Sequence, residues 1–214
     1  MAGGLMAAIS LASARRTEIG CDEAMSEASS QERVAPDPLR LVQQFVNSIH
    51  IHPSRPPEEE LFSAKALHDW LVAHDLMDPA DEVTDADLAR AVDVREGLRA
   101  ILLSHNGQEL DRPSVERLER ATRHARVRVG FGGHTQPQLV ADCNGLDGAL
   151  ARLLMIVASS AEQGTWERLK ACPRDRCFWA FYDHSKNRSG RWCSMESCGN
   201  VEKARAFRER KRGA

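Results

Sequence analysis

Between Ser63 and Gln163 apolar residues recur mostly at intervals of three and four, the spacing that lines one side of an α-helix. Ser63 can cap a helix whose inner side carries Ala66, Leu67, Trp70 and Leu71. Thr84-Asp-Ala-Asp87 has the layout of a capping box and stands ahead of Leu88, Ala91, Leu98, Ile101 and Leu102. Asn106-Gly107 closes that helix, and Ser114 opens another that runs through Leu118. Asp147 to Gln163, with Leu150, Leu153, Leu154, Val157 and Ala158, is the most apolar helix of the chain. The period changes to two in Ala125-Arg-Val-Arg-Val-Gly-Phe131. Gly132-Gly133 then supplies a turn and Gln138-Leu-Val-Ala141 returns, which predicts a β-hairpin. The pattern predicts an α+β fold in which residues 38–165 form a mainly α-helical body with one small hairpin. Residues 1–37, rich in Ala, Ser, Gly and Glu without a sustained period, predict a disordered tail.

Past residue 167 the periodic pattern gives way to cysteines. Cys172-Pro-Arg-Asp-Arg-Cys177 and Cys193-Ser-Met-Glu-Ser-Cys198 are two Cys-x4-Cys knuckles separated by fifteen residues. A tetrahedral Zn2+ site needs four soft donors about 2.3 Å from one point, and two knuckles joined by a hairpin-sized connector supply them without a large core. Disulfides suit a secreted chain, but Met1 to Ala14 is only mildly apolar and lacks a basic start, so a cytoplasmic setting with reduced thiols is expected. An iron–sulfur cluster also takes four thiolates, although the spacing matches neither common ferredoxin run. His184 lies between the knuckles and is an alternative fourth ligand; a polar hairpin loop accounts for it equally. Cys21, in the tail, and Cys143, beside an Asn-Gly turn, are not counted as ligands.

Charge is as unevenly divided as cysteine. Residues 168–214 hold thirteen Lys and Arg against five Asp and Glu, or +8, whereas residues 1–167 carry −10 within a total of −2. A basic module on an acidic body predicts a polyanionic partner, because neutralising phosphate releases counterions. Arg174, Arg176, Arg188 and Arg191 lie beside the knuckles and can instead compensate a zinc tetrathiolate. Lys203, Arg205, Arg208, Arg210, Lys211 and Arg212 lie beyond that reach and are the nucleic-acid candidates. Five of the eleven aromatic residues, Phe178, Trp179, Phe181, Tyr182 and Trp192, fall between positions 178 and 192 of the same module. They predict a strand over 178–182, a turn at Asn187-Arg-Ser-Gly190 and a returning strand at Arg191-Trp192. Asn200 then caps a helix on which Val201, Ala204 and Phe207 form a narrow apolar stripe. The order of knuckle, hairpin and helix is treble-clef-like. Core packing explains these aromatics more simply than base stacking does.

Leu169-Lys-Ala-Cys172, Cys177-Phe-Trp-Ala-Phe-Tyr-Asp, Arg191-Trp-Cys-Ser-Met and Cys198-Gly-Asn200 with Lys203-Ala-Arg205 together resemble the CGNR zinc finger family. Such fingers usually follow an ABATE domain, described for its family as a putative stress-induced transcription regulator. Val42-Gln-Gln-Phe45-Val46-Asn47-Ser48 is similar to that domain's opening, and Gly145-Leu-Asp-Gly-Ala-Leu150 resembles its last helix. The resemblance implies a finger over 168–214 and a role in transcription. One departure stands out: the fourth residue of the family's name is arginine, and here it is Val201.

The body offers no recognisable catalytic set, so an enzyme is not expected. His50 and His52 flank Ile51 but precede Pro53, which predicts an exposed loop; Glu58-Glu-Glu60 reads as a solvated charge run. The expected function is a zinc-binding transcription regulator that engages DNA through its basic helix. The alternative is a zinc-stabilised interaction or dimerisation adaptor; a small-molecule enzyme is the third reading. Beside DNA, the partners weighed are a second copy of the chain and a small-molecule effector in the helical body, with no membrane.

Overall fold

Leu39, Val42, Phe45 and Val46 lie on one side of helix α1 (Leu39–Val46), and all four are buried at the centre of the body. The computed structural model describes residues 33–52, 55–133 and 135–212. An antiparallel ribbon follows, β1 (Ile49–His52) and β2 (Arg55–Glu59), with an irregular register between His50 and His52. Helix α2 (Ala64–Ala73) is capped as predicted, Ser63 Oγ accepting the Ala66 amide at 3.1 Å. Helix α3 (Asp85–Ser104) opens on the Thr84 capping box, with Asp87 Oδ2 accepting the Thr84 amide at 3.1 Å. Helix α4 (Arg112–Ala121) begins two residues before Ser114. Asp111 precedes it, Pro113 occupies its first turn where no amide partner is needed, and the Ser114 hydroxyl bonds the Asp111 carboxylate.

Helices α3 and α4 meet at Gly97, where an added Cβ would stand 2.5 Å from Leu118 Cβ and 2.9 Å from the Ser114 carbonyl oxygen. The predicted hairpin forms from β3 (Val127–Gly130) and β4 (Gln138–Ala141), with Val129 opposite Leu139. Helix α5 (Gly145–Glu162) then returns through the core with Leu146, Ala149, Leu150 and Leu153 buried.

One further ribbon, β1–β2, joins the predicted hairpin in the body, and the ribbon of the carboxy-terminal module pairs differently from expectation. In β1–β2, Pro56 and Pro57 obscure the strand pattern. A two-stranded ribbon has only one paired edge per strand, so prolines are tolerated there. His50 and His52 therefore belong to a strand, not to a loop. In the carboxy-terminal module, β6 (Ala180–Tyr182) pairs with β5 (Leu169–Ala171) rather than with Arg191-Trp192. Leu169 and Ala171 are small or apolar enough to enter the core, whereas the Arg191 and Trp192 carbonyls are taken by side chains: Asn106 Nδ2 at 2.7 Å and Arg33 Nη1 at 2.8 Å. The module ends with a π-type turn (Met195–Gly199) leading into helix α6 (Asn200–Arg212).

Module and body share one core. Leu169, Ala171, Ala180 and Tyr182 pack in the same buried cluster as α1, α3 and α5, along with Trp166. Chain from Arg33 is part of this packing: Ala35 is buried, its amide bonds Gln43 Oε1 at 2.7 Å, and the Arg33 carbonyl accepts the Tyr182 amide at 2.8 Å. The tail expected over 1–37 otherwise falls on residues 1–32, outside the described residues. Among the described residues no helix is long and apolar enough to cross a membrane.

Candidate metal centre

Backbone hydrogen bonds place three of the four cysteines, Cys172, Cys177 and Cys198. Cys172 follows β5, and its amide donates to the Trp179 carbonyl at 2.9 Å, so the two sides of the first knuckle are tied at its base. The Cys177 amide closes a tight turn on the Arg174 carbonyl at 3.0 Å, with Arg176 and Phe178 both in left-handed conformations, φ 59° and 54°. In the second knuckle Ser194 is the organiser. Its carbonyl accepts the Cys198 amide at 3.1 Å and the Gly199 amide at 3.0 Å, and its hydroxyl accepts the Ser197 amide at 3.3 Å. Gly199 is needed where it is: a Cβ would stand 2.7 Å from Met195 Sδ and 3.1 Å from Trp192 Cδ1.

These turns bring four sulfurs together that are separated by up to 26 residues, from Cys172 to Cys198. All four lie within 4.8 Å of one another, with Cys177 and Cys193 3.5 Å apart and Cys198 3.6 Å from each of them. Four thiolates about 2.3 Å from a central zinc stand about 3.8 Å apart, so the quartet is close to the size a tetrahedral ion needs. None of the five described cysteines is in a disulfide. Cys172, Cys177 and Cys198 are buried, with Phe181 beneath them and Trp179 and Trp192 at the flanks. The donor set is soft, shielded and small, which suits a structural zinc site.

The four thiols shift in opposite directions, Cys177 and Cys193 up and Cys172 and Cys198 down, because groups this close compete for protons. Hydrogen bonds from Cys172, Cys177 and Cys193 hold the Cys198 thiol well below its ordinary range, and the Arg174 guanidinium, 3.6 Å from Cys198 Sγ, adds to this. Of the four arginines expected to compensate the thiolates, Arg174 does so. Arg188 instead reaches the Gly164 carbonyl at 3.4 Å, and Arg191 lies over the Trp192 ring at 5.6 Å. His184 is not part of the quartet, since its Nε2 bonds the Val34 carbonyl at 2.9 Å.

The six basic candidates, Lys203, Arg205, Arg208, Arg210, Lys211 and Arg212, all lie on α6 and all are exposed. No residue of that helix is buried; the expected apolar stripe is uncovered, with Val201 41% and Phe207 61% exposed. Arg205 is partly committed within the helix, to Glu202 at 2.9 Å and Glu209 at 3.8 Å. Lys203 and Arg205 border a cleft with Arg191 and Trp192 at the helix's root.

A set of polar clamps between body and finger is absent from the sequence reading. Arg99, buried in α3, donates to the Phe178 carbonyl at 2.8 Å and the Val46 carbonyl at 2.6 Å. Asn47 brackets Ala180 through both its backbone groups, at 2.8 and 2.9 Å. Asn106 bonds the Ala171 carbonyl at 2.8 Å, and His105 Nδ1 lies 2.9 Å from the Leu169 carbonyl. Lys170 and Asp183, both buried, form an ion pair at 2.7 Å across β5–β6. Glu59, expected as part of a solvated run, is drawn in by Arg95 with two bonds of 2.7 Å, because a guanidinium so deeply buried needs a carboxylate. Polar residues at inward helical positions, such as Gln43 and Asn47 beside Phe45 and Val46, are the signal that points to such contacts.

Comparison with known proteins agrees with this division of the chain. Residues 168–211 match the CGNR zinc finger. Residues 39–163 match ABATE, described as a putative stress-induced transcription regulator. A search of curated proteins finds no match. With its ABATE match covering more than half of its length and lying upstream of the finger, the chain belongs to the ABATE family and carries a CGNR zinc finger at its carboxy-terminal end.

Proposed function

We propose that the chain is a cytoplasmic transcription regulator in which Cys172, Cys177, Cys193 and Cys198 hold one Zn2+ and α6 docks on duplex DNA. The zinc is structural: bound by four thiolates, it fixes both knuckles and so sets the root of α6. The observation that carries the DNA reading is that α6 buries nothing while presenting six basic against two acidic residues. At 1.5 Å per residue its thirteen residues span about 20 Å, and a major groove about 12 Å wide admits a helix. Reduced thiols at all five described cysteines fit the cytoplasm. The proposal assigns the chain no catalytic step.

The test is duplex binding by the zinc-loaded chain across a salt series, with metal content measured on the same sample. About four phosphate contacts predict an affinity loss of roughly 150-fold between 50 and 200 mM salt. Replacing Arg208, Arg210 and Arg212 together by alanine should lower the salt slope by about 2.7 and leave zinc content unchanged. Unchanged DNA affinity in that variant refutes the helix as the contact.

A second reading, a protein-docking adaptor, rests on exposed Val201 and Phe207. It predicts no DNA affinity at low salt, and partner binding that is flat in salt and lost in Phe207→Ser.

A further inference from the structure

A cavity of about 400 Å³ lies where body and finger meet, walled by Trp70 of α2 and His74 just past its end, His50 and Glu60 at the β1–β2 ribbon, Arg40 of α1 and Trp179 of the finger. Its walls are flat and aromatic. Trp70 stacks on His74 with ring centres 3.9 Å apart, and His50 meets the Trp179 ring edge-on at 5.0 Å. The two carbonyl-bonded amides of its floor are already used, Gln43 by Arg33 and Ala180, Asn47 by Ala180. Glu60 is engaged by His50 at 2.9 Å. That leaves Arg40, exposed and without a carboxylate partner among the described residues, as the charged lining group with no side-chain partner. Two indole walls and one cation complement a planar monoanion, the aromatic carboxylate being the simplest member of the class.

The wall nearest the finger is tied to the quartet. The Trp179 carbonyl accepts the Cys172 amide at 2.9 Å, and the preceding carbonyl, of Phe178, is held by Arg99 at 2.8 Å. A ligand that fixes the Trp179 ring also fixes the backbone that positions Cys172 and Cys177. By linkage, a metal that orders the knuckle must then favour the ligand by the same factor.

We propose that this cavity binds a planar organic monoanion, and that its occupancy and metal retention in the cysteine quartet reinforce one another. The proposal does not depend on DNA binding. The test uses the full-length, zinc-loaded chain and three isosteric probes, benzoate, benzamidine and benzyl alcohol, followed by tryptophan fluorescence. Benzoate, with about nine non-hydrogen atoms, is expected to quench saturably with a Kd of about 1 mM. Benzamidine and benzyl alcohol should bind at least about tenfold more weakly, and Arg40→Gln, on the surface of α1, should weaken benzoate by a similar factor. Saturating benzoate should raise the equilibrium zinc affinity, measured by competition with a chelator, about fivefold. Absence of saturable quenching by benzoate, equal binding of benzamidine, or unchanged benzoate affinity in Arg40→Gln overturns the site. Benzoate binding with an unchanged equilibrium zinc affinity overturns the linkage.

Discussion

The pair Lys170 and Asp183 is the sharpest place to test how the finger is held together. Both side chains are buried, and every donor of the ammonium is used: Asp183 Oδ2 at 2.7 Å, the Arg188 carbonyl at 2.6 Å and the Gly190 carbonyl at 3.0 Å. Asp183 in turn accepts the Gly190 amide at 2.8 Å and the Ser185 amide at 3.1 Å, so the pair ties β5–β6 to the loop that leads to the second knuckle. Burial alone would raise the Asp183 carboxyl. The Lys170 ammonium and the Ser185 hydrogen bonds outweigh it and hold the group at about 2 against an ordinary 3.8. That difference is worth about 2 kcal/mol at neutral pH. A depressed carboxyl stabilises above its unfolded value, so this contribution is complete at pH 7 and is lost as pH falls through about 4 toward 2. Asp183→Asn removes the charge and leaves a buried ammonium unpaired, for which about 3 kcal/mol is expected. Over the roughly 180 described residues that corresponds to a Tm about 8 °C lower. The assay is urea unfolding of the zinc-loaded chain at pH 7 for Asp183→Asn, Lys170→Met and the double variant. A loss below about 1 kcal/mol in Asp183→Asn, or a coupling energy near zero in the cycle, refutes the reasoning.

Three other perturbations are read in the same way. Burial pushes the His105 imidazole down, against the raising effect of its bond to the Leu169 carbonyl; its neutral form is favoured by folding, so stability should fall as pH drops below about 6.5, and that step should vanish in His105→Gln followed by urea midpoint. Gly97→Ala sets a methyl 2.5 Å from Leu118 Cβ in the α3–α4 contact and should lower stability by about 1–3 kcal/mol by thermal unfolding, with zinc content unchanged. Arg99→Met frees the Phe178 carbonyl beside Cys177 and should speed zinc transfer to a chelator by about tenfold or more, whereas Arg117→Met, at an exposed ion pair with Asp93, should not.

What was legible in the sequence was local. The Thr84 box, the Ser63 cap, the β3–β4 turn and the quartet are each written within a few residues or at a ligand spacing that metal chemistry restricts tightly. The long-range pairings were not legible. Ala180–Tyr182 has no residue that says whether its partner lies before or after it, and the choice of β5 is made by the body's core, which accepts Leu169 and Ala171. Arg95 and Arg99 look like the solvent side of α3 in a helical pattern, yet they are buried, because Glu59, Glu96 and the Val46 and Phe178 carbonyls converge on them. The contacts to Glu59, Val46 and Phe178 bridge 36 to 79 residues of sequence and leave no periodic trace.

Where those contacts fall changes how the finger should be understood. A finger on a linker would gain or lose its metal with no effect on the domain before it. Here the strands that carry the first knuckle contribute four residues to the body's core, and Arg99, Asn47, Asn106 and His105 hold their backbone from the other side. Zinc binding to small fingers is worth about 10–16 kcal/mol, whereas whole domains are stable by about 5–15 kcal/mol. Energy of that size, acting on a knuckle whose strands cannot leave without opening the core, reaches the body as well as the finger. The reverse also holds: whatever tightens α1, α3 or the β1–β2 ribbon tightens the grip on Cys172 and Cys177. Only α6 is outside this exchange. None of its residues is buried, so it can be presented by the metal centre while remaining free to meet a partner.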